Sequence, residues 1–326
     1  MKLVIQIPCL DEEATLPLTL ADLPKSLPGI DSIEVLVIDD GSTDRTGEVA
    51  YAHGVHRVVR FPARRGLARA FDTGLREALA MGADIIVNTD ADNQYQGADV
   101  GKLTEPILAR RADMVVGTRP IDSIEHFSPL KKLLQRLGSV VVRALSNSDV
   151  PDTTSGFRAY SREAALRLTV LTGFTYTLET LIQASQKNIT IAHVPIRVNA
   201  KLRESRLFKG MWAYVTRSLG TMLRVYLLYQ PLKFFMTLSA LSLGLSLALF
   251  ARFVIIFALQ PQQSGHVQSL VVAGALAVIG VLFVALGVLS DLIAMNRRLL
   301  EEVVVNTRLA RIEHEQRERE RRGNTP

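Results

Sequence analysis

Val35-Leu36-Val37-Ile38-Asp39-Asp40-Gly41-Ser42-Thr43-Asp44 is the stretch on which the fold of this chain turns. An unbroken apolar run ends abruptly in carboxylates, a glycine and hydroxyls. Apolar runs without alternation belong to strands covered on both faces, as in parallel sheets. The pattern recurs at Leu3–Ile7 before Pro8-Cys9-Leu10-Asp11-Glu12-Glu13, and at Ile85–Val87 before Asp90-Ala91-Asp92-Asn93-Gln94. It recurs again at Met114–Val116 before Gly117-Thr118-Arg119. Leu67, Ala70, Phe71, Gly74, Leu75, Ala78 and Leu79 form a helical stripe between two of these runs. Strands alternating with helices predict an open α/β fold with a mostly parallel sheet. Ligands of such sheets sit at the carboxyl ends of the strands, where all four polar clusters fall. A single acidic loop reads equally well as a turn or a helix cap, and Ser42-Thr43-Asp44 can cap the helix that follows. Four clusters on one edge point to a site.

Asp90 and Asp92 are the sharpest chemical feature. Two carboxylates at i, i+2 beyond a buried strand can converge on one hard cation, with the Gln94 amide nearby. Oxygen donors favour Mg2+ or Mn2+ over zinc. A cation held by few protein ligands keeps positions open for a diphosphate and can neutralise charge on a phosphate leaving group. The sequence has neither GxxxxGK[ST] nor GxGxxG, so P-loop hydrolysis and dinucleotide hydride transfer lack their fingerprints. The single cysteine, Cys9, has no CxxC partner, and the six histidines show no zinc spacing.

The carboxyl-terminal third changes character. Phe234–Leu259 carries one charge, Arg252, and Val267–Ser290 carries none. At about 1.5 Å per residue each run can cross a hydrocarbon core of about 30 Å. Arg252 lies near the end of its run, within reach of the interface. The connector Gln260–His266 has no Lys or Arg, whereas Arg224, Lys233, Arg297 and Arg298 flank the pair. The positive-inside rule then puts both termini in the cytoplasm of a multi-pass inner-membrane protein. Ala240, Gly244 and Ala248 offer a small-residue stripe for close helix contact, within the hairpin or between subunits. No amino-terminal signal peptide is apparent. The expected organisation is a cytoplasmic catalytic domain (1–210), an interfacial helix (211–230), two spans (about 234–259 and 267–292, within 231–295) and a charged tail (296–326).

The chain has 326 residues, of which 48% are hydrophobic and 21% charged, a composition that excludes disorder. Its net charge of +6 suits an anionic partner. Between Arg197 and Arg224 seven basic residues face only Glu204, so this segment alone carries the whole surplus. The segment reads either as a phosphate-binding element or as a juxtamembrane patch drawn to anionic lipid. Nucleic acid is not expected, because the excess sits beside the membrane runs rather than along an aromatic-studded groove.

In order and spacing these clusters resemble glycosyltransferase family 2, and within it the dolichyl-phosphate mannose synthases and bacterial polyprenyl-phosphate glycosyltransferases. The matching elements are Pro8-x-x-Asp11-Glu12, Asp39–Asp44, Asp90-Ala91-Asp92 with Gln94, and Gly117-Thr118-Arg119. Asp152-Thr-Thr-Ser-Gly-Phe-Arg158, Val194–Arg197 and Glu204-Ser205-Arg206 complete the set. The resemblance covers about residues 1–210 and implies a GT-A nucleotide-diphosphosugar transferase fold. It implies an inverting transfer of a hexose from a UDP- or GDP-linked donor to a polyprenyl phosphate. Carried over, Pro8, Leu10, Glu12, Ile38, Asp39 and Asp40 hold the nucleotide. Asp90, Ala91, Asp92 and Gln94 hold the cation and diphosphate, and Arg119 and Arg206 the phosphates. Lys201, Arg203, Ser205 and Arg206 are the candidates for the acceptor phosphate. Asp11 stands where the family usually has Asn, Arg64-Arg65-Gly66-Leu67 lacks the usual Asn, and Lys201–Arg206 lacks the usual glycine.

A phosphate acceptor is already ionised near neutral pH, so the reaction needs positive charge more than a strong base. Asp92, Asp152 and Arg119 are the residues expected to carry catalysis; Asp152 either orients a substrate or caps a turn after Pro151. Trp212, Val215, Leu219, Met222 and Tyr226 form a stripe suited either to an interfacial helix or to packing on the catalytic domain. The Glu/Arg tail beyond Arg297 reads as a solvated or self-associating helix, the latter giving a homo-oligomer. A processive polysaccharide synthase is the competing enzyme reading, but the only tryptophan is not in a QxxRW motif. A non-catalytic membrane-tethered scaffold is the competing non-enzyme reading.

Overall fold

The computed structural model describes residues 1–119, 150–170, 176–199, 220, 223–224, 226–259 and 267–323. Lys201, Arg203, Ser205, Arg206 and Trp212 lie outside the described residues. The chain divides into two compact units, 1–219 with 305–326, and 220–304.

In the first unit the four apolar runs become β1 (Lys2–Cys9), β2 (Ser32–Asp39), β4 (Ile85–Asn88) and β5 (Met114–Thr118). Three further strands join them: β3 (Arg57–Arg60), β6 (Arg158–Ser161) and β7 (Ile191–Pro195). The sheet runs β3-β2-β1-β4-β6-β5-β7, and every pairing is parallel except those of β6 with β4 and β5. The helices are α1 (Leu16–Asp22), α2 (Thr46–Ala52), α3 (Leu67–Ala80), α4 (Val100–Leu108), α5 (Arg162–Arg167) and α6 (Tyr176–Gln186).

The unbroken apolar runs are explained by cover on both faces. Val4, Leu36, Ile38, Ile86 and Val116 pack with Phe71, Leu75 and Leu79 of α3 and Leu181 of α6. Their neighbours in sequence, Leu3, Ile5, Val37, Ile85, Val87 and Val115, pack with Leu16 of α1 and with Val100, Leu103 and Ile107 of α4. Each such side chain, fully buried, contributes about 1.5–3 kcal/mol of transfer free energy. Gly74 lets α3 lie close on the sheet: a Cβ there would stand 2.5 Å from Gln6 Oε1 and 2.8 Å from Ile38 Cδ1.

The antiparallel strand has a consequence for the site. Arg158 is level with Asn88 at the end of β4 and with Val116 near the end of β5. The residues that enter β6, 152–157, therefore meet the loops that leave β4 and β5 on one edge.

In the second unit α7 (Pro231–Leu259) and the first part of α8 (Val267–Gly323) are long and apolar enough to cross a membrane, with mean hydropathies of 2.2 and 2.8. Ser239, Ser242 and Ser246 donate from Oγ to the carbonyls of Gly280, Leu276 and Ala273 at 2.8, 2.8 and 2.6 Å. This serine row makes the contact inside the hairpin. Ala240, Gly244 and Ala248 are exposed, and a Cβ at Gly244 would meet nothing within 4 Å, so that stripe does not close the hairpin. Small hydroxyl side chains serve such a contact twice over, letting the backbones approach and hydrogen-bonding across the pair. Helix α8 also runs on past 292 to Gly323, so the charged tail is helical. The Arg297–Glu301 pair at 3.5 Å shows the i, i+4 spacing that supports a polar helix.

Candidate active site

Three loops at the sheet edge are stitched together by their own polar groups. Asp11 is in the left-handed region (φ 53°), and its Oδ1 accepts from the Thr43 N–H at 2.8 Å. Its N–H donates to Ser42 Oγ at 3.0 Å, and the Glu12 N–H donates to Thr46 Oγ1 at 2.8 Å. Asp11 thus uses its extra charge locally, joining the loops after β1 and β2. Asp39 is fully buried, accepts from the Ser42 N–H at 2.7 Å and lies 3.2 Å from Arg60 Nε. Asp40 accepts from the N–H groups of Arg65 (2.7 Å) and Gly66 (2.9 Å), holding the turn that starts α3. Asp44 does act at a helix start, accepting from the Thr46 N–H at 2.9 Å. Gly41 has φ +77°, and a Cβ there would stand 2.7 Å from the main chain of Ala63 and Arg64. That close approach brings the loop after β3 against the one after β2.

The expected nucleotide residues sort differently within this frame. Leu10 is partly exposed at the edge, whereas Pro8 is buried in β1. Glu12 is buried and accepts from Thr15 Oγ1 at 2.6 Å. Ile38 is a core residue, fully buried beneath α3, so its main chain rather than its side chain is what nears the edge.

The loop after β4 carries Asp90, Ala91, Asp92 and Gln94. Thr19 Oγ1 donates to the Ala91 carbonyl at 3.0 Å, pinning the loop to α1. Asp92 Oδ1 accepts from the Gln94 N–H at 3.3 Å, and the Gln94 carbonyl accepts from the Asn199 N–H at 2.8 Å. Asn199 Nδ2 donates to the Asn93 carbonyl at 3.0 Å, so the chain after β7 buttresses this loop. Among the described residues, no three His, Cys, Asp or Glu side chains gather into a complete metal cage. Two half-buried carboxylates are what is present, an all-oxygen donor set suited to Mg2+ or Mn2+ with most positions left to a ligand.

Arg119 and Asp152 form a fork. Arg119 Nε donates to Asp152 Oδ2 at 2.7 Å and Nη2 to Oδ1 at 3.1 Å, while Nη2 also reaches Thr154 Oγ1 at 3.0 Å. Burial alone would favour the neutral Asp152 acid, but Arg119 and Thr154 outweigh it and hold the carboxyl below the usual range. Burial likewise opposes the charge on Arg119, and Tyr95, Asp152 and Asp90 outweigh it, so its pKa is raised. Both groups are ionised throughout the neutral range. Asp152 is therefore more than a turn cap, although it does accept from the Thr154 N–H at 3.2 Å.

Sequence reasoning missed the layer behind these groups. Tyr95 stacks on Phe157, ring centroids 5.1 Å apart, and its Oη accepts from the Gly156 N–H at 3.1 Å. Burial first, then the charge of Asp90, push the Tyr95 phenol up to about 12. Asn88 Nδ2 donates to the Gly156 carbonyl at 2.8 Å, and Gln6 Nε2 donates to Asn88 Oδ1 at 2.8 Å. Arg158, fully buried, donates to the carbonyls of Thr153, Ser155 and Thr177 at 2.8, 2.7 and 2.7 Å, fixing the turn that carries Asp152. The signal available in the sequence was polar residues inside or at the end of apolar strands: Gln6 in β1 and Asn88 in β4. Arg197 also has a partner. It binds the fully buried Asp99 at 2.7 Å, so its charge is not part of a free basic patch.

A family profile described as glycosyl transferase family 2 matches residues 4–169, which include both Asp90-x-Asp92 and the Arg119–Asp152 fork. The chain belongs to glycosyl transferase family 2. It is 30% identical over 226 residues to an undecaprenyl-phosphate mannosyltransferase of Micrococcus luteus, covering 65% of this chain and 89% of that one. It is 31% identical over 185 residues to a UDP-N-acetylglucosamine–dolichyl-phosphate N-acetylglucosaminyltransferase of Methanococcus voltae, 50% of this chain and 73% of that one. Glucosyl-3-phosphoglycerate synthase of Mycobacterium tuberculosis, solved with Mn2+, UDP and glucosyl-3-phosphoglycerate, superposes with a TM-score of 0.53. That pair shares 26% identity and covers 68% of this chain and 79% of the other. The glycosyltransferase thus has a GT-A-like α/β fold with a mostly parallel sheet, followed by two apolar helices.

Proposed function

We propose that this glycosyltransferase moves a hexose from a UDP- or GDP-linked donor to a polyprenyl phosphate at the cytoplasmic face of a membrane. The observation that carries the reading is the sheet edge that gathers Asp90, Asp92 and the Arg119–Asp152 fork in a chain bearing an apolar hairpin. Relatives named for polyprenyl-phosphate and dolichyl-phosphate transfer support the acceptor class.

Asp90 and Asp92 would hold Mg2+ or Mn2+ together with the donor diphosphate, with Gln94 beside them. The cation would supply charge neutralisation on the departing nucleotide diphosphate. An acceptor phosphate oxygen forms a bond to the sugar anomeric carbon as the bond from that carbon to the diphosphate breaks. A single displacement of this kind inverts the anomeric centre. The acceptor oxygen carries no proton to remove, which agrees with an Asp152 held too acidic to act as a base at neutral pH. Asp152 instead fixes the Arg119 guanidinium, whose charge favours the approach of the two anions. Loops 8–12 and 39–44 form the nucleotide side, and Lys201, Arg203, Ser205 and Arg206 are the proposed acceptor-phosphate residues. The exposed apolar flanks of α7 and α8 suit insertion in lipid, where such an acceptor resides.

The test incubates the purified chain with Mg2+ or Mn2+, undecaprenyl phosphate and a panel of radiolabelled UDP- and GDP-sugars. Label entering the organic phase identifies the donor. Label remaining aqueous with every donor overturns the function.

A further inference from the structure

Behind the loop after β4 lies a glycine whose missing side chain makes room for a carboxylate. A Cβ at Gly156 would stand 3.1 and 3.2 Å from the two Asp90 oxygens, and 2.7 Å from Tyr176 Oη. The glycine cannot drift away from this position. Its N–H is held by Tyr95 Oη at 3.1 Å and its carbonyl by Asn88 Nδ2 at 2.8 Å. Asn88 is in turn fixed by Gln6, and also donates to Tyr176 Oη at 3.1 Å. Tyr95, Asn88, Gln6 and Tyr176 are all buried, so the surface facing Asp90 is rigid main chain with both polar groups satisfied. Gly156 does not require a left-handed backbone, because its φ lies outside that region. Space is what selects glycine here.

We infer that Gly156 is a positioning residue for the cation, its bare α-carbon setting where the Asp90 carboxylate rests at the end of β4. This rests on the reading that Asp90 is a cation ligand. An alanine methyl would press on both carboxylate oxygens at once, and close packing transmits such a push instead of absorbing it. Groups that orient a metal ligand from behind typically govern affinity by about 10–100-fold.

The experiment titrates Mn2+ into the full-length chain in detergent micelles, with and without UDP or GDP, and follows free Mn2+ by electron paramagnetic resonance. Four proteins are compared: wild type, Gly156→Ala, Tyr176→Phe and the double variant, each with its melting temperature. Removing the Tyr176 hydroxyl relieves the 2.7 Å clash but not the two against Asp90. The expected result is a Mn2+ affinity at least about ten-fold weaker for Gly156→Ala than for wild type. The same loss should separate the double variant from Tyr176→Phe, while the melting temperature recovers. Equal affinities for Gly156→Ala and wild type overturn the inference. So does a loss that disappears in the Tyr176→Phe background, which would make the effect one of packing against that tyrosine. A wild-type chain that binds no Mn2+ even with nucleotide overturns the cation reading first and this inference with it.

Discussion

At the residue scale, the two carboxylates with distinct roles separate by their environment. Asp92 is half-buried in a loop whose other bonds are to main chain, whereas Asp152 is committed to Arg119 through two hydrogen bonds. Replacing Asp92 by Asn removes a charge from the proposed cation site, where electrostatic stabilisation is largest, and should slow transfer by about 10²–10³-fold. Asp152→Asn keeps the shape but turns an amide NH2 toward the Arg119 donors, so one bond of the fork is lost; it should still cost less than Asp92→Asn, because the proposed cation site is untouched. Steady-state rates for both purified variants test this ranking; the reverse order would refute it. The acidic Asp152 also bears on pH. Because Arg119 holds its carboxyl below the usual range, Asp152 does not change charge between pH 6 and 8. Wild-type turnover should show no limb in that window that Asp152→Asn abolishes, as initial rates across the window will show.

At the element scale, what could be read from the chain and what could not have a common cause. Strands β1, β2, β4 and β5 were legible because both faces are covered, leaving continuous apolar runs. Strand β3, Arg57-Val-Val-Arg60, lies at the sheet edge and keeps a charge at each end; β7, at the other edge, is half exposed. Strand β6 was hidden by its Arg158, a charge buried at the cost of saturating it with carbonyls. With β6 went the reason that Asp152 meets the loops after β4 and β5, since its antiparallel direction brings 152–157 to the loop edge. Asp90 and Asp92 needed no such knowledge, being only two residues apart in sequence. Helix α3 offers a test of the close approach that Gly74 permits. Gly74→Ala gains about 1 kcal/mol of helix propensity. It sets a methyl 2.8 Å from the buried Ile38 Cδ1, an overpacking cost of about 1–3 kcal/mol. The net effect should be a lower melting temperature; an increase would show that the sheet yields. The Asp99–Arg197 clamp between α4 and the chain after β7 gives a pH-dependent counterpart. Burial, which would raise the Asp99 pKa, is outweighed by Arg197 and Lys102, so the carboxyl is held low. A depressed carboxylate stabilises above its unfolded pKa of about 4, and that contribution is lost as pH falls through its folded value. Asp99→Asn should therefore melt a few degrees below wild type at pH 7, with the gap closing toward pH 3.

At the scale of the whole molecule, the charge map and the hairpin make one joint prediction about sidedness. Arg224, Lys233, Arg297 and Arg298 flank the apolar segments, while Gln260–His266 between them carries no Lys or Arg. Moving only the uncharged connector across a bilayer is the arrangement with the smallest electrostatic cost. Helix α7 and the first part of α8 are long and apolar enough for two such crossings, and the serine row from Ser239 to Ser246 closes them against each other with its hydroxyls satisfied. The catalytic sheet, with its pool of acidic and basic loops, would then face the compartment that supplies nucleotide sugars. The single cysteine makes this measurable, because Cys9 is buried in β1 and reacts poorly with aqueous thiol reagents. In a Cys9→Ala background, a cysteine placed at Gln263 should react with an impermeant maleimide in intact cells. One placed at Glu48, on the outer face of α2, should react only after the cells are opened. Labelling of both positions in intact cells, or of Glu48→Cys alone, would invert the topology and put the proposed donor site on the wrong side of its substrate.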